Sequence, residues 1–423
     1  MNAFVVKGDI CYSQTVQKLF AGTEHYLVVE EGRCQGVFDS LPEKFHGLPI
    51  YDYSGKLILP GLVDLHIHAP QYAFRGMGMD LELLEWLNQH TFPEESQYEN
   101  LAYAERAYSI FAENMKKSAT TRACVFGTLH VPATELLMDK LEQTGLKTYV
   151  GKVNMDRNCP DFLTEGSAEE SEKATLRWLE ETRGAYDHTR PILTPRFIPS
   201  CSDDLMRRLS RIRQQYGLPV QSHLSENPGE VQWVRELCPG TSCYGDAYDQ
   251  FGLFGGEAKT VMAHCVYSGE EERALMKERG VFIAHCPESN ENLSSGIAPV
   301  RRYLEEGQNI GLGSDVAGGT SESIFRAMAE AIQVSKLRWR LVDETEKPLT
   351  VPEAFYLATR GGGAFWGRAG SFEEGYEADI LVIEDETIRH PQELTVEQRL
   401  ERLIYLAGDG QLLHKAVAGN WVL

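Results

Sequence analysis

Short apolar runs alternate with longer amphipathic stretches through the middle of the chain. The apolar runs have the length of strands and occupy residues 57–66, 120–127, 147–154, 191–197, 218–224, 260–264, 281–286 and 310–315. The stretches between them, including 101–117, 169–183, 202–216 and 269–279, place apolar residues on one face at helical spacing. Strands that alternate regularly with helices are typical of an α/β fold. Eight such strands predict a (β/α)8 barrel of the TIM type.

The two ends of the chain have a different pattern. Residues 1–56 contain short strand-like runs joined by turns, with a hairpin around the sequence VVEEGR. Strand-like runs return at residues 378–383 and, around a Gly419-Asn420 turn, at residues 414–422. We expect both ends to build one small β-sandwich together. The predicted domains are therefore residues 1–56 with 370–423 as the β-sandwich, and residues 57–369 as the barrel.

The first barrel strand ends in two histidines, His66 and His68, in the sequence LILPGLVDLHIHAPQ. Residues i and i+2 of an extended strand point to the same side, so both imidazoles face one point beyond the strand. Neutral imidazole is a common ligand of zinc and iron. Two ligands do not complete a metal site, so the other strand ends must supply the rest.

Other strands end in suitable residues. His223 ends the fifth strand, His264 the sixth and Asp315 the eighth. Because the C-terminal ends of barrel strands meet at one mouth, these side chains predict a mononuclear metal site. We assign His66, His68, His223 and Asp315 to the metal, which is zinc or iron. His264 is either a fifth ligand or a hydrogen-bond partner of the metal-bound water.

Three further features lie close to these strand ends. Glu226, three residues after His223, is placed to carry a proton, although a glutamate there also suits the start of a helix. His285 ends the seventh strand and either supports the site or contacts the substrate. Residues 83–93 are either a lid, with Trp86 and Phe92 over the pocket, or a packed helix.

Composition restricts the partners. A chain of 423 residues suggests one large domain and a smaller one. The formal net charge of −21 repels phosphate backbones and anionic lipid, which argues against nucleic-acid and membrane partners and is compatible with a neutral small substrate. No apolar run approaches the roughly 20 residues that span a bilayer, and the N-terminus lacks an export signal. Nine scattered cysteines favour reduced thiols, so we expect a cytoplasmic protein.

Several motifs resemble those of a known family. The sequences PGLVDLHIHAPQY, TPRF, SHLSEN, MAHC, HCPESN and GSDVAGG are similar to the amidohydrolase superfamily and, within it, to the guanine deaminase family. LLEWLNQHTFP and GKVNMDRN add to the resemblance, which runs from residue 60 to 319. It implies a metal-dependent hydrolase barrel, one zinc ion per subunit and a homodimer. The implied reaction is hydrolysis of guanine to xanthine and ammonia, in purine catabolism.

The resemblance also implies roles for individual residues. Zinc would be held by the four residues assigned above, and Gln71, Arg196 and Phe197 would recognise the purine together with His223 and Glu226. An arginine can donate two parallel hydrogen bonds to the O6/N7 edge of a purine, and a phenylalanine offers a flat face for stacking.

The implied catalytic residues are Glu226, His264 and Asp315. Glu226 or Asp315 would accept a proton from the attacking water, hydroxide would attack C2 of the ring, and Glu226 would protonate N3. His264 would help to stabilise the developing oxyanion.

The sequence departs from the family pattern in two places. Ser314 stands where many relatives have threonine, and Glu288 and Glu291 are additional acids after the seventh strand. Residues 191–197 contain no lysine, which disfavours a binuclear site with a carbamylated lysine. Two alternatives remain: a deaminase of another amino-substituted heterocycle (8-oxoguanine, an aminotriazine or a modified adenosine), or a non-catalytic scaffold on the same fold.

Overall fold

A computed structural model describes residues 3–406 and 408–423. In chain order its strands are β1 (Phe4–Ser13), β2 (Leu19–Glu30), β3 (Arg33–Phe38), β4 (Ile50–Pro60), β5 (Leu62–His68), β6 (Thr120–Phe126), β7 (Lys147–Gly151), β8 (Val153–Asn154), β9 (Thr189–Pro191), β10 (Thr194–Pro195), β11 (Val220–Leu224), β12 (Thr260–His264), β13 (Phe282–His285), β14 (Asn309–Leu312), β15 (Ile380–Ile383), β16 (Leu412–Val417) and β17 (Asn420–Trp421).

Its α-helices are α1 (Leu83–Trp86), α2 (Phe92–Ser96), α3 (Leu101–Lys117), α4 (Val131–Glu142), α5 (Ala168–Glu181), α6 (Asp203–Tyr216), α7 (Pro228–Leu237), α8 (Tyr244–Asp249), α9 (Glu270–Arg279), α10 (Pro287–Asn292), α11 (Val300–Glu306), α12 (Ile324–Leu341), α13 (Val351–Tyr356) and α14 (Val396–Leu406). The helix predicted over 101–117 has the same limits in the structure, and the other three predicted helices differ from the structure by one or two residues at one or both ends. Asn100 caps α3 by accepting hydrogen bonds from the amides of Ala102 and Tyr103.

Both chain ends contribute to one seven-stranded sheet with the order β17-β16-β15-β4-β1-β2-β3. The predicted hairpin joins β2 to β3, and its turn residues Glu31 and Gly32 have φ of 51° and 74°. Two positive φ angles define the tight turn that matches the twist of a hairpin. The C-terminal hairpin turns at Ala418-Gly419, one residue before the predicted Gly419-Asn420. The two ends thus build one sheet together, as expected, while the β-sandwich domain of residues 1–56 and 370–423 stays a prediction.

The middle of the chain forms the predicted barrel. Parallel strands β5-β6-β7-β9 and β11-β12-β13-β14 form its two halves, and β8 pairs with β10. The halves join where the amide of Gln221 donates to the carbonyl of Leu193 over 2.9 Å. They join again where the amide of Asp315 donates to the carbonyl of His66 over 2.8 Å. The predicted third and fourth strands are each two short strands in the structure.

The predicted first strand, 57–66, is wrong in one respect. Residues 57–60 end β4, which pairs with β1 and β15 in the end sheet, and the barrel strand β5 begins at Leu62. Gly61 lies between them, and a Cβ atom there would be 2.2 Å from Oγ1 of Thr121. The chain thus passes from one sheet to the other at a residue with no side chain, and the continuous apolar sequence hides the change.

Buried charges join the end sheet to the barrel. Arg122 of β6 donates from Nε to Oδ2 of Asp379 over 2.6 Å and from Nη2 to Oε2 of Glu377 over 2.8 Å. The side chains of Arg122 and Asp379 are each 1% exposed. Lys415 of β16 donates to three backbone carbonyls at the end of α3 and the start of β6. Removing one partner of such a buried pair costs about 3–5 kcal/mol, so the junction is held firmly.

Within residues 3–406 and 408–423, every helix is too short or too polar to cross a membrane.

Candidate metal and active site

Four side chains that the sequence assigns to a metal come together at the C-terminal mouth of the barrel. His66 and His68 are in β5, His223 is in β11, and Asp315 follows β14. Nε2 of His68 lies 3.2 Å from Nε2 of His66 and 3.2 Å from Nε2 of His223. Oδ1 of Asp315 lies 3.1 Å from Nε2 of His66 and 3.5 Å from Nε2 of His68. The four donor atoms therefore surround one small space.

Hydrogen bonds on the far side of two imidazole rings decide which nitrogen faces this space. Nδ1 of His223 lies 2.6 Å from the backbone carbonyl oxygen of Arg196, which only accepts, so Nδ1 donates and Nε2 carries a lone pair. Nδ1 of His264 lies 2.9 Å from Oδ1 of Asn290, which assigns the same tautomer to His264. Both Nε2 atoms are therefore available to a metal ion or a water molecule.

The electrostatics suit a cation. Burial, and after it the neighbouring His66, lower the pKa of His68 and of His223 well below the usual range of histidine. Burial opposes ionisation of Asp315, but His66 and the other imidazoles beside it outweigh burial and lower the pKa of its carboxyl. His68 and His223 thus offer neutral nitrogen atoms, and Asp315 offers a carboxylate.

The donor set fits a zinc or iron ion. Lone pairs of neighbouring imidazoles at 3.2 Å repel each other unless a proton or a cation lies between them. A cation held by three imidazole nitrogens and one carboxylate oxygen removes that repulsion, and both zinc and iron accept this set of ligands. The imidazole of His264 also lies beside this cluster, with its Nε2 3.7 Å from Oδ2 of Asp315.

The backbone is unusual at this mouth. Ser225, His264 and Asp315, each at or just after a strand end, have φ of 48°, 74° and 46°. This left-handed conformation costs a residue other than glycine roughly 1–2 kcal/mol. Such strain persists only where the surroundings impose it, and it is concentrated at functional sites. For Asp315, the hydrogen bond of its amide to the carbonyl of His66 helps to impose it.

Glu226 lies beside the cluster rather than at the start of a helix. Its Oε2 is 3.4 Å from Nε2 of His264, and Ser295 donates to its Oε1 over 3.4 Å. The helix-start role falls to Asn227 and Glu230, which form the capping box of α7. Burial, followed by the charges of Glu230 and Asp315, raises the pKa of Glu226 well above the usual range. A carboxyl whose pKa is raised in this way accepts a proton and returns it more readily near neutral pH than an ordinary glutamate does.

A cavity opens onto the cluster. Its lining contains every predicted metal, catalytic and purine-binding residue except His66: His68, Gln71, Leu83, Trp86, Leu87, Arg196, Phe197, His223, Glu226, Glu230, His264, Leu293 and Asp315. Leu83, Trp86 and Leu87 form its apolar roof, and Trp86 is 2% exposed. The segment predicted as a lid or a packed helix is thus a packed helical segment that contributes these three side chains to the cavity lining.

Two of the five predicted purine-binding residues share one partner. Gln71 and Arg196 both bind the carboxylate of Glu95, with Nε2 of Gln71 at 3.0 Å and Nη2 of Arg196 at 3.0 Å from its Oε1. Phe197 is buried in the cavity wall, and its ring makes an edge contact with Trp233. The structure therefore brings the predicted recognition residues to one side of the cavity.

The sequence analysis missed Glu95, Asn290 and Ser295. Asn290 and Ser295 follow the seventh strand, so the strand-end rule that found the histidines also points to them. Nothing in the sequence links Glu95 to Arg196, because 101 positions separate the two residues.

His285 stays outside the cluster. It is 1% exposed, burial lowers its pKa to about 3, and neither ring nitrogen has a hydrogen-bond partner in the part of the chain that the structure describes. It is absent from the described lining of the cavity. This placement favours a supporting position over contact with the substrate.

Comparisons with known proteins agree with this geometry. The family model described as amidohydrolase family matches residues 57–422. Guanine deaminase of Mus musculus is 41% identical over 384 residues, which are 87% of this chain and 83% of that protein. Guanine deaminase of Escherichia coli is 35% identical over 413 residues, covering 94% of this chain and 90% of that protein. A crystal structure of guanine deaminase from C. acetobutylicum, with guanine bound in its active site, has a TM-score of 0.96 at 44% identity and covers 100% of both chains.

The chain belongs to the amidohydrolase family. The resemblance stated from the motifs is thereby confirmed, and so is the (β/α)8 fold class.

Removing one ligand should remove the metal. We expect the wild-type protein, stripped with a chelator and reloaded with zinc, to retain one zinc ion per chain in elemental analysis by mass spectrometry. His68→Ala should lose most of this zinc, because its Nε2 lies within 3.5 Å of donor atoms of three other candidate ligands. His285→Asn is the matched control, a buried strand-end histidine outside the cluster, and should keep its zinc. A folded His68→Ala protein with the wild-type zinc content would contradict the assignment.

Proposed function

We propose that this chain is a guanine deaminase, which hydrolyses guanine to xanthine and ammonia. The observation that carries the proposal is the arrangement within one cavity. A metal-ligand cluster and a buried proton donor, Glu226, lie beside a polar edge formed by Gln71 and Arg196, under an apolar roof. The relatives from mouse and E. coli, and the guanine bound to the C. acetobutylicum protein, support guanine as the substrate.

The proposed metal is one zinc ion per chain, with iron as the alternative that the ligands also accept. His66, His68, His223 and Asp315 would hold it. When bound, such an ion lowers the pKa of a coordinated water to about 7 and so makes hydroxide available at neutral pH.

The protein groups then move and orient protons. In the tautomer set by Asn290, Nε2 of His264 is an acceptor, so His264 orients the attacking water by accepting one of its O–H groups. Asp315 or Glu226 takes the proton that the water gives up. Glu226 delivers a proton to N3 of the ring as C2 is attacked. The proton of the hydroxyl group now on C2 then passes to the exocyclic amine, the C2–N bond breaks, and ammonia leaves as the C2=O bond of xanthine forms.

The cavity walls bind the base itself. The remaining N–H groups of Arg196 and the amide of Gln71 meet the O6/N7 edge of guanine. Phe197 and the roof residues Trp86 and Leu83 offer apolar surface to the ring. Exclusion of water from this enclosed space strengthens every electrostatic interaction within it.

We also propose that the protein is a cytoplasmic homodimer. The end of α12 exposes an apolar ridge in which Leu337, Leu341 and Val342 are 48%, 75% and 62% exposed, and a second copy of the chain would cover it. The nine cysteines are free, which suits a reducing compartment.

Sedimentation velocity should show twice the chain mass for the wild type and the single chain mass for Leu341→Glu. A monomeric wild type would overturn the dimer.

Loss of the proton carrier should nearly abolish turnover. We expect the zinc-loaded wild type to release xanthine and ammonia from guanine, and Glu226→Gln to be slower by at least about a hundredfold, the usual scale for a lost general acid-base. Xanthine formation followed by absorbance, with ammonia measured by a coupled assay, gives both rates. Glu288→Gln is the control and should stay close to wild type, because Glu288 binds Arg326 and Thr320.

A different result of the same assay would contradict guanine as the substrate. If the wild type left guanine intact and hydrolysed an aminotriazine, 8-oxoguanine or a modified adenosine, the metal site would stand and guanine would be the wrong substrate.

A further inference from the structure

One buried carboxylate contacts both side chains that face the purine edge. Glu95 lies in α2 and is 2% exposed. Its Oε1 accepts from Nε2 of Gln71 and from Nη2 of Arg196, both over 3.0 Å, and its Oε2 accepts from Nη1 of Arg196 over 2.5 Å. The three side chains come from segments far apart in the sequence. They form one hydrogen-bonded unit in the cavity wall.

Resting on the proposed function, we propose that Glu95 is a positioning residue that fixes Gln71 and Arg196 and thereby makes the site select purines with a 6-oxo group.

Glu95 decides the orientation of the Gln71 amide. Because the carboxylate only accepts, the group of Gln71 that faces it must be the NH2 group. On its other side, Oε1 of Gln71 accepts from the amide of Ala317 over 3.3 Å. A flipped amide would place an oxygen against the carboxylate and an NH2 group against the amide of Ala317. Gln71 therefore presents one fixed pattern of donor and acceptor to the cavity.

Glu95 also fixes the guanidinium of Arg196. The carboxylate takes one N–H from each terminal nitrogen of Arg196, in a fork that holds the guanidinium plane. The ring of Phe92 lies against this group, with its centroid 5.1 Å from the guanidinium carbon. Of the five N–H donors of an arginine, three remain, and two of them are parallel on the Nε side. Two parallel donors suit two neighbouring acceptors such as O6 and N7 of guanine.

Stability alone does not require this arrangement. A buried ion pair is often no more stabilising than apolar side chains of the same volume, because desolvation of both charges offsets their attraction. The pair does, however, fix the orientation of the Arg196 guanidinium group. The carboxylate of Glu95 neutralises the charge of Arg196. The remaining N–H donors of Arg196 keep a fixed orientation and can bind an uncharged ligand that has hydrogen-bond acceptors.

The expected effect is a loss of discrimination rather than a general loss of binding. In Glu95→Gln one carboxylate oxygen becomes an NH2 group, which faces an N–H of Arg196, so the fork breaks and Arg196 turns. Hypoxanthine has the 6-oxo group and purine lacks it, and neither carries the 2-amino group that reacts. We expect the inhibition constant of hypoxanthine to rise about 10- to 100-fold, the scale of a hydrogen bond to a charged group. The inhibition constant of purine should change by less than about threefold, because purine offers no O6 to Arg196.

The measurement uses the zinc-loaded, full-length protein, with inhibition measured against guanine turnover and, independently of turnover, by isothermal titration of the two ligands. Glu94→Gln is the matched control, since Glu94 is the adjacent glutamate and accepts from the hydroxyl of Tyr103. It should keep the wild-type ratio of the two affinities. Zinc content and the unfolding midpoint of each variant show whether the site and fold are intact.

The outcomes separate the two proposals. If the wild type fails to turn over guanine, the proposed function fails, while titration of hypoxanthine and purine still tests Glu95. If Glu95→Gln weakens the binding of hypoxanthine and of purine equally, or changes neither, Glu95 does not determine recognition of the 6-oxo group and the inference is overturned. If Glu95→Gln does not fold, Glu95→Asp keeps the charge at a shorter reach. A ratio of affinities that stays at the wild-type value in Glu95→Asp would likewise overturn it.

Discussion

The hydrogen bonds between the first and last barrel strands are the constraint on which the site depends. Asp64 of β5 accepts from the amides of His66 and Ser314 over 3.0 and 3.1 Å, and also from the Ser314 hydroxyl. The amide of Asp315 in turn donates to the carbonyl of His66. These bonds join two segments that are 250 positions apart in the chain. They set the carboxylate of Asp315 against the imidazoles of β5, within 3.1 Å of Nε2 of His66 and 3.5 Å of Nε2 of His68.

The two sides of the cavity next to this contact have different roles. On one side, neutral imidazoles and a carboxylate suit a cation, and Glu226 lies beside them with a raised pKa. On the other side, Glu95 neutralises Arg196 and leaves donors for a neutral ligand. The apolar side chains of Leu83, Trp86 and Leu87 line the same cavity. Hydrolytic loss of an amine needs these three conditions together: an activated water, a proton donor and a ligand held in one orientation.

Hydrophobic periodicity predicted the barrel, and the residues at the strand ends predicted which side chains meet at its mouth. Eight apolar runs indicated the barrel, and the rule that strand ends meet at one mouth was enough to place His66, His223 and Asp315 together. The hydroxyl of Ser314, which the sequence analysis noted as a departure from the family pattern, donates to Asp64.

The features that the sequence did not predict depend on contacts that leave no local pattern. The apolar run from residue 57 crosses between two sheets at Gly61, and only the close approach of Thr121 shows why. The tautomers of His223 and His264 depend on Arg196 and Asn290, which hydrophobic periodicity does not connect. The pairing of Glu95 with Arg196 is likewise a product of the fold.

The most direct test of this account follows the atoms of the reaction. Guanine labelled with 15N in its 2-amino group is incubated with the zinc-loaded protein in H2 18O, and the products are analysed by mass spectrometry. The account predicts xanthine with a single 18O, located at C2, and one labelled ammonium ion for each xanthine. Recovery of intact guanine, or 18O at any other carbon, would contradict it.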